Sequence, residues 1–261
     1  MKSNDEIRDY VRKNYARVAI QGTQGSCCGT GCCGSNETEV RQAYAKIGYF
    51  ESDLSEIPDD ANMCLGCGNP VAIASLRPGE TVLDLGCGGG FDCFLAAKRV
   101  GVSGRVIGVD MTPDMISLAR KNADKYGNSN VQFRLGEIEH LPVEDNSVDV
   151  IISNCVINLS PDKKQVFKEA YRVLKPGGRL SISDVVATAR IPDDIKSNLL
   201  MVACCVGGAE YIDDVKQMLK DAGFINIRLT PKENSRKIIK SWNFGNNIEN
   251  YVASFMIEAV K

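Results

Sequence analysis

LDLGCGGGFD, residues 83–92, brings an apolar strand to a stop among four glycines and then opens a helix. Glycines at such a junction let the backbone bend sharply and let a ligand approach the main-chain amides. A plain dinucleotide fingerprint reads G-x-G-x-x-G. Here an acid comes first, in the order Asp84, Gly86, Gly88, Gly90. A carboxylate at Asp84 repels a pyrophosphate and suits a cationic amino acid. A nicotinamide enzyme sharing the same strand-end geometry is the alternative.

Outward from this turn the texture repeats. RVIGVD (105–110) and VQFRLG (131–136) read as strands, with helices at FDCFLAAKRV (91–100) and PDMISLARKNADKYG (113–127). VDVIISN (148–154) is a further strand and DKKQVFKEAYRVLK (162–175) an amphipathic helix, after which KPGG turns the chain into RLSISDVV. Alternation of this kind builds a mainly parallel α/β sheet covered by helices on both faces. Helices are also expected over 4–18, VRQAYAKIGY (40–49), DDIKSNLLMVACC (193–205) and YIDDVKQMLKDAG (211–223), with strands at INIRLT and YVASFMIEAV. Asp110, 26 residues past Asp84, ends the second strand, where a carboxylate accepts bonds from both ribose hydroxyls. Met111 beside it covers an adenine face, and Glu137 and Ile138 after the third strand offer one polar and one apolar contact. Three strand ends thus converge on one nucleoside.

The 261 residues suit one large domain or a compact domain with an extension. The first residues lack a signal-peptide run and no stretch is long and apolar enough for a membrane span, so the reading is cytoplasmic, without membrane contact. A net charge of -2 without a basic block argues against nucleic acid and for a small-molecule partner. Eleven cysteines in a reducing compartment are expected to be thiols engaged in metal or redox chemistry. They cluster in GSCCGTGCCG (Cys27, Cys28, Cys32, Cys33), CLGCG (Cys64, Cys67) and ACCVGG (Cys204, Cys205), with Cys155 in NCV after the fourth strand. Cys87 and Cys93 read as small core residues. Glycine neighbours are expected to leave Cys67 and Cys205 uncovered. Cys64 and Cys67 have the spacing of half a zinc knuckle, which the N-terminal pairs would complete. The only histidine, His140, lies in a loop and makes a poor general base.

With its glycine turn, ribose acid and adenine contacts, the chain resembles S-adenosylmethionine-dependent methyltransferases of Rossmann-like fold, with a seven-stranded sheet. That resemblance implies cofactor contacts at Asp84, Gly86, Cys87, Gly88, Asp110, Met111, Glu137, Ile138 and Asn154. GGGFDCFLAA, GCGNP, NCVINL and CVGGA narrow it to arsenite S-adenosylmethionine methyltransferases. The narrower resemblance implies three parts: an N-terminal helical extension with the cysteine-rich loop (1–62), the cofactor domain (63–187) and a metalloid-binding region holding the last strands (188–261). It also implies that Cys67, Cys155 and Cys205 bind trivalent arsenic, and leaves open which of Cys27, Cys28, Cys32 and Cys33 matches the family's upstream cysteine. The glycine-flanked cluster of these four is itself expected to be an arm of accessory thiols that collects the metalloid or exchanges disulfides with Cys67, and Cys64 is a further candidate accessory thiol. Arsenite and methylated arsenicals would be the partners, and glutathione or a thioredoxin-type thiol the co-substrate. Trivalent arsenic is soft and takes sulfur ligands, and its lone pair is the nucleophile, so no general base is needed. Holding it in line with a methyl donor supplies on the order of 7 to 11 kcal/mol by orientation. Two other classes stay open. One is a methyltransferase acting on organic carbon or oxygen, which needs a base near the methyl group, and the other is a thiol-rich protein that sequesters a soft metal.

Overall fold

A computed structural model describes residues 2–21, 42, 45, 47–54, 57, 61–63, 65–127, 129–242, 244–245 and 247–261. The cysteines of GSCCGTGCCG and Cys64 lie outside these residues, as does most of the helix expected over 40–49.

Seven strands form one sheet in the order β3-β2-β1-β4-β5-β7-β6. They are β1 (Thr81–Leu85), β2 (Arg105–Asp110), β3 (Val131–Leu135), β4 (Val148–Asn154), β5 (Leu174–Ala187), β6 (Ile225–Pro231) and β7 (Val252–Val260). The first five run parallel, and β7 lies antiparallel between β5 and β6. The central strands are apolar along their length because both faces are covered. Leu83, Leu85, Ile107, Ile151 and Ile182 pack on one face against Phe167 and Leu219, whereas Val82, Val106, Val150 and Ile152 pack on the other against Phe94, Ala97 and Val100. The edge strands β3 and β6 carry more exposed residues. The order reverses between β1 and β4, and a crevice opens beyond the strand ends at such a switch.

The helices are α1 (Asn4–Gln21), α2 (Glu51–Leu54), α3 (Pro70–Ile73), α4 (Phe91–Val100), α5 (Pro113–Tyr126), α6 (Lys163–Val173), α7 (Asp193–Ser197), α8 (Leu199–Ala203), α9 (Ile212–Ala222) and α10 (Ser235–Ser241). The single helix expected over 193–205 is thus two. Asn198 breaks it, taking an extended conformation (φ -82°, ψ 111°) while its side chain accepts the Leu200 N–H. Asparagine competes with the helix in this way. KPGG, expected to precede the strand, falls inside β5 as an irregularity: pairing with β4 jumps from Val148 opposite Leu174 to Val150 opposite Arg179. Arg179 then clamps the entry to β1, with Nη1 and Nη2 on the two Glu80 carboxylate oxygens (2.7 and 2.8 Å) and Nε on the Ala74 carbonyl (2.7 Å).

Candidate active site

The glycine turn meets its expected geometry. Gly86, Gly88 and Gly90 all have positive φ (70°, 51° and 94°). A Cβ at Gly86 would stand 2.5 Å from both Val156 methyls, which leaves no room for a side chain. Gly86→Ala adds that overlap to left-handed strain and is expected to destabilise the protein by about 1–3 kcal/mol, read as a lowered urea midpoint. Asp110 Oδ2 accepts the Gly88 N–H (3.0 Å) and Oδ1 the Thr112 N–H (2.8 Å), so one carboxylate fixes the turn and the start of α5 together.

The crevice beyond these strand ends is a cavity of about 150 Å³. Asp84, Gly86, Cys87, Gly88, Asp110, Met111, Ile138 and Asn154 line it, as do Cys155 and Cys205. Glu137 does not. Its carboxylate faces α1, taking Arg12 Nη2 at 3.1 Å, and Glu139 lines the wall in its place. Glu139 is buried, accepting Ser160 Oγ (2.8 Å) and Arg8 Nη2 (3.1 Å). Asn154 stands at the rim with its amide holding the connector: Nδ2 donates to Gly68 O (2.6 Å) and Oδ1 accepts the Cys67 N–H (3.0 Å). His140 is exposed and off the cavity wall.

Sequence reasoning missed the far wall. Val11 and Tyr15 of α1 line the cavity together with Arg8, and Tyr15 Oη donates to Ala203 O (3.2 Å). The buried positions Val11, Asn14 and Val18 give α1 one inward face, a spacing that marks amphipathicity without saying what it covers. Trp242, the only tryptophan, also lines the cavity.

Buried carboxyls dominate the electrostatics. Burial raises Asp84 well above the usual range, Asp92's charge adds to it, and the Cys93 thiol donating to Oδ2 (3.2 Å) opposes it. Burial also raises Asp110, against the two N–H donors that favour its ionised form. Acidic side chains grouped in a buried crevice fit a ligand that brings positive charge, such as an amino acid carrying an ammonium group and a sulfonium. Burial pushes Asp184, in β5, up to about 7. Each of these carboxyls holds its proton in the folded protein at pH values where the unfolded chain has lost it. Their contribution to stability is therefore expected to be full below the ordinary carboxylate range and to be lost as the pH rises from there through about 7, the value for Asp184. Urea midpoints of wild type and Asp184→Asn between pH 5 and 8 check this: the fall should be shallower in the variant.

Cys67, Cys155 and Cys205 share one buried cluster, and the last two line the crevice. Cys155 follows β4 and Cys205 follows α8, both in the left-handed region (φ 56° and 62°), and Cys205 Sγ donates to Cys155 O (2.8 Å). Cys155 Sγ, Cys205 Sγ and an Asp184 carboxylate oxygen lie within 4.8 Å of one another, all buried. Contrary to the expectation of free thiols, Cys67 and Cys155 are joined as a disulfide, Cα to Cα 6.1 Å, across 88 residues of chain. Nor do neighbouring glycines leave Cys67 or Cys205 uncovered, for both are buried. Gly68 lets the connector lie flat, since a Cβ there would overlap Lys232 Nζ and Ser183 Oγ. Cys87 and Cys93 are buried too, and burial pushes the Cys87 thiol up to about 11. Cys204, adjacent to Cys205, shares the cavity wall.

Sheet order and strand-end crevice are those of a class I methyltransferase fold, and a family model described as a methyltransferase domain matches residues 76–223. An arsenite methyltransferase of Halobacterium salinarum is 51% identical over 98% of this chain and 67% of its own length. One from Aquipseudomonas alcaligenes is 45% identical over 67% of this chain and 53% of its own length. Among solved structures, an arsenic (III) S-adenosylmethionine methyltransferase from Chlamydomonas reinhardtii superposes with TM-score 0.61 at 35% identity, covering 84% of this chain and 72% of that one. The chain belongs to the arsenite methyltransferase family. It spans about half to two thirds of the length of these curated relatives. No described helix is long and apolar enough to cross a membrane.

Proposed function

We propose that this chain transfers the methyl group of S-adenosylmethionine to trivalent arsenic held by the thiolates of Cys155 and Cys205, with Cys67 as third sulfur. One observation carries the reading: Cys155 and Cys205 lie on the wall of the same cavity as Gly86, Gly88 and Asp110. When bound, S-adenosylmethionine supplies an electrophilic methyl on a positively charged sulfur.

The chain's own part is positioning. Asp110 and the glycine turn hold the nucleoside, Met111 and Ile138 sandwich the base, and Asp84 faces the amino-acid end. Thiolates hold arsenic with its lone pair directed into the cavity, where the displacement becomes intramolecular. No base takes part, in keeping with the single histidine standing off the wall. Cys67 and Cys155 can bind arsenic as thiolates only after the bridge between them opens. Two equivalents of glutathione, or one of a thioredoxin-type dithiol, reduce it and leave as their own disulfide. Such turnover suits the reducing cytoplasm. Residues 1–62 form the extension that supplies α1, 63–187 the cofactor domain, and 188–261 the region that brings Cys205 and completes the sheet with β6 and β7. The accessory role of Cys27, Cys28, Cys32, Cys33 and Cys64 is collection of the metalloid or thiol exchange with Cys67.

Purified protein incubated with S-adenosylmethionine, glutathione and arsenite, followed by speciation of arsenic, tests the reading. Methylated arsenicals are expected, and their absence with either reductant class would reject it.

A further inference from the structure

We propose that Cys67, Cys155, Cys205 and the Asp184 carboxylate, once the Cys67–Cys155 bridge is reduced, form a four-donor site for a divalent cation of the zinc class. Such a cation then competes with trivalent arsenic for the cleft, a consequence that rests on the arsenic reading above.

The donor set is what argues for it. Trivalent arsenic is satisfied by three sulfurs in a pyramid, its fourth direction filled by the lone pair. Behind the cavity wall stands a further donor, an Asp184 oxygen within 4.8 Å of both Cys155 Sγ and Cys205 Sγ. With the Cys67 sulfur released by reduction joining the two clustered sulfurs and the carboxylate, the donors are of kinds that zinc accepts. The carboxylate is also held as a ligand should be. Asp184 Oδ1 accepts the Val185 N–H (2.7 Å) and Asn158 Nδ2 (3.0 Å), and Oδ2 accepts the Ile157 N–H (2.9 Å). Oδ2 therefore keeps a lone-pair direction in hand, and the bonds that occupy the others fix its orientation. Asn158 Nδ2 reaches Cys205 O as well (3.1 Å), tying the Cys205 turn to the same carboxylate.

The surroundings favour anionic sulfur. Two lysines flank the donors: half-buried Lys232, whose Nζ donates to Cys67 O (3.0 Å), and buried Lys163, whose Nζ donates to Ser160 O (2.9 Å) and which is attracted by Glu210 first and then by Asp184 and Cys205. Their charges offset the excess that three thiolates and a carboxylate leave around a dication. The chemistry balances simply. Two small thiols reduce the bridge and form one external disulfide, and cation binding then displaces three thiol protons, together with any proton on Asp184, to solvent.

The test uses the full chain with Cys27, Cys28, Cys32, Cys33 and Cys64 changed to serine, so that only the cleft thiols respond. After reduction by a phosphine and anaerobic desalting, Zn2+ is titrated against a chromophoric chelator. Cd2+ is added separately and read by its thiolate absorption and by cadmium nuclear resonance. One cation per chain is expected, with a cadmium resonance of mixed sulfur and oxygen ligation. Zinc affinity should fall about ten-fold or more in Asp184→Asn and about a hundred-fold in Cys205→Ser. In the wild-type chain, zinc should raise KM for arsenite and leave kcat unchanged. No stoichiometric binding, or purely sulfur ligation of cadmium, would overturn the site even if Asp184→Asn fails to fold. Zinc binding without competition would overturn its consequence. A wild type that binds zinc but never methylates arsenite would instead reject the arsenic reading and leave the cation site standing.

Discussion

Cys155→Ser and Cys205→Ser are each expected to lower arsenite methylation to about one hundredth of wild type or less, which is a loss of roughly 2.7 kcal/mol or more at the transition state. Both sulfurs face one small volume beside the nucleoside crevice, so losing either removes a ligand that positions arsenic and leaves a hydroxyl that binds it poorly. Cofactor affinity is expected to stay within about three-fold, because the glycine turn and Asp110 lie on the strand ends of β1 and β2 and not on these turns. Titration with S-adenosylhomocysteine beside the turnover assay separates the two effects. A variant that keeps near wild-type turnover would remove that cysteine from the ligand set.

Asp110→Ala is expected to weaken S-adenosylhomocysteine binding about ten-fold or more, from loss of a charge-assisted pair to the ribose worth roughly 1.5–3 kcal/mol. The structure adds a reason for a larger effect. The same carboxylate accepts the Gly88 and Thr112 N–H groups, so its removal also releases the glycine turn that the nucleoside rests on. Asp110→Asn, which retains one acceptor, should fall between wild type and alanine. An unchanged dissociation constant in Asp110→Ala would place the nucleoside elsewhere.

The sheet was legible because its central strands are apolar on both faces and separated by helices of fitting length, so TVLDL, RVIGVD and VDVIISN announce themselves without any partner in view. That the strand-end residues line one cavity followed from it, since residues at successive strand ends must share one edge. What lay hidden depends on contacts distant in sequence. Asp184 sits in SISDVV, which reads as an ordinary buried strand, and gains meaning only when the turns bearing Cys155 and Cys205 fold over it. Glu137 and Glu139 are two residues apart in one loop, and only the docking of α1 decides that Arg12 takes the first while the second faces the crevice. The bridge between Cys67 and Cys155 was likewise beyond reach, because a connector with glycines on both sides of a thiol suggests exposure until the surface it lies against is known.

Cys155 and Cys205 share one further property: each has positive φ, where a side chain other than glycine or asparagine sits uneasily. Glycine at Cys205 would relieve a strain of order 1 kcal/mol while deleting the sulfur, whereas at Cys155 it would also break the bridge to Cys67. At Cys205, then, the backbone is best served by a residue without the thiol that the proposed chemistry needs. Selection for thermal robustness alone would tend to erase this chemistry, and only demand for the chemistry itself keeps thiols on such unfavourable backbone.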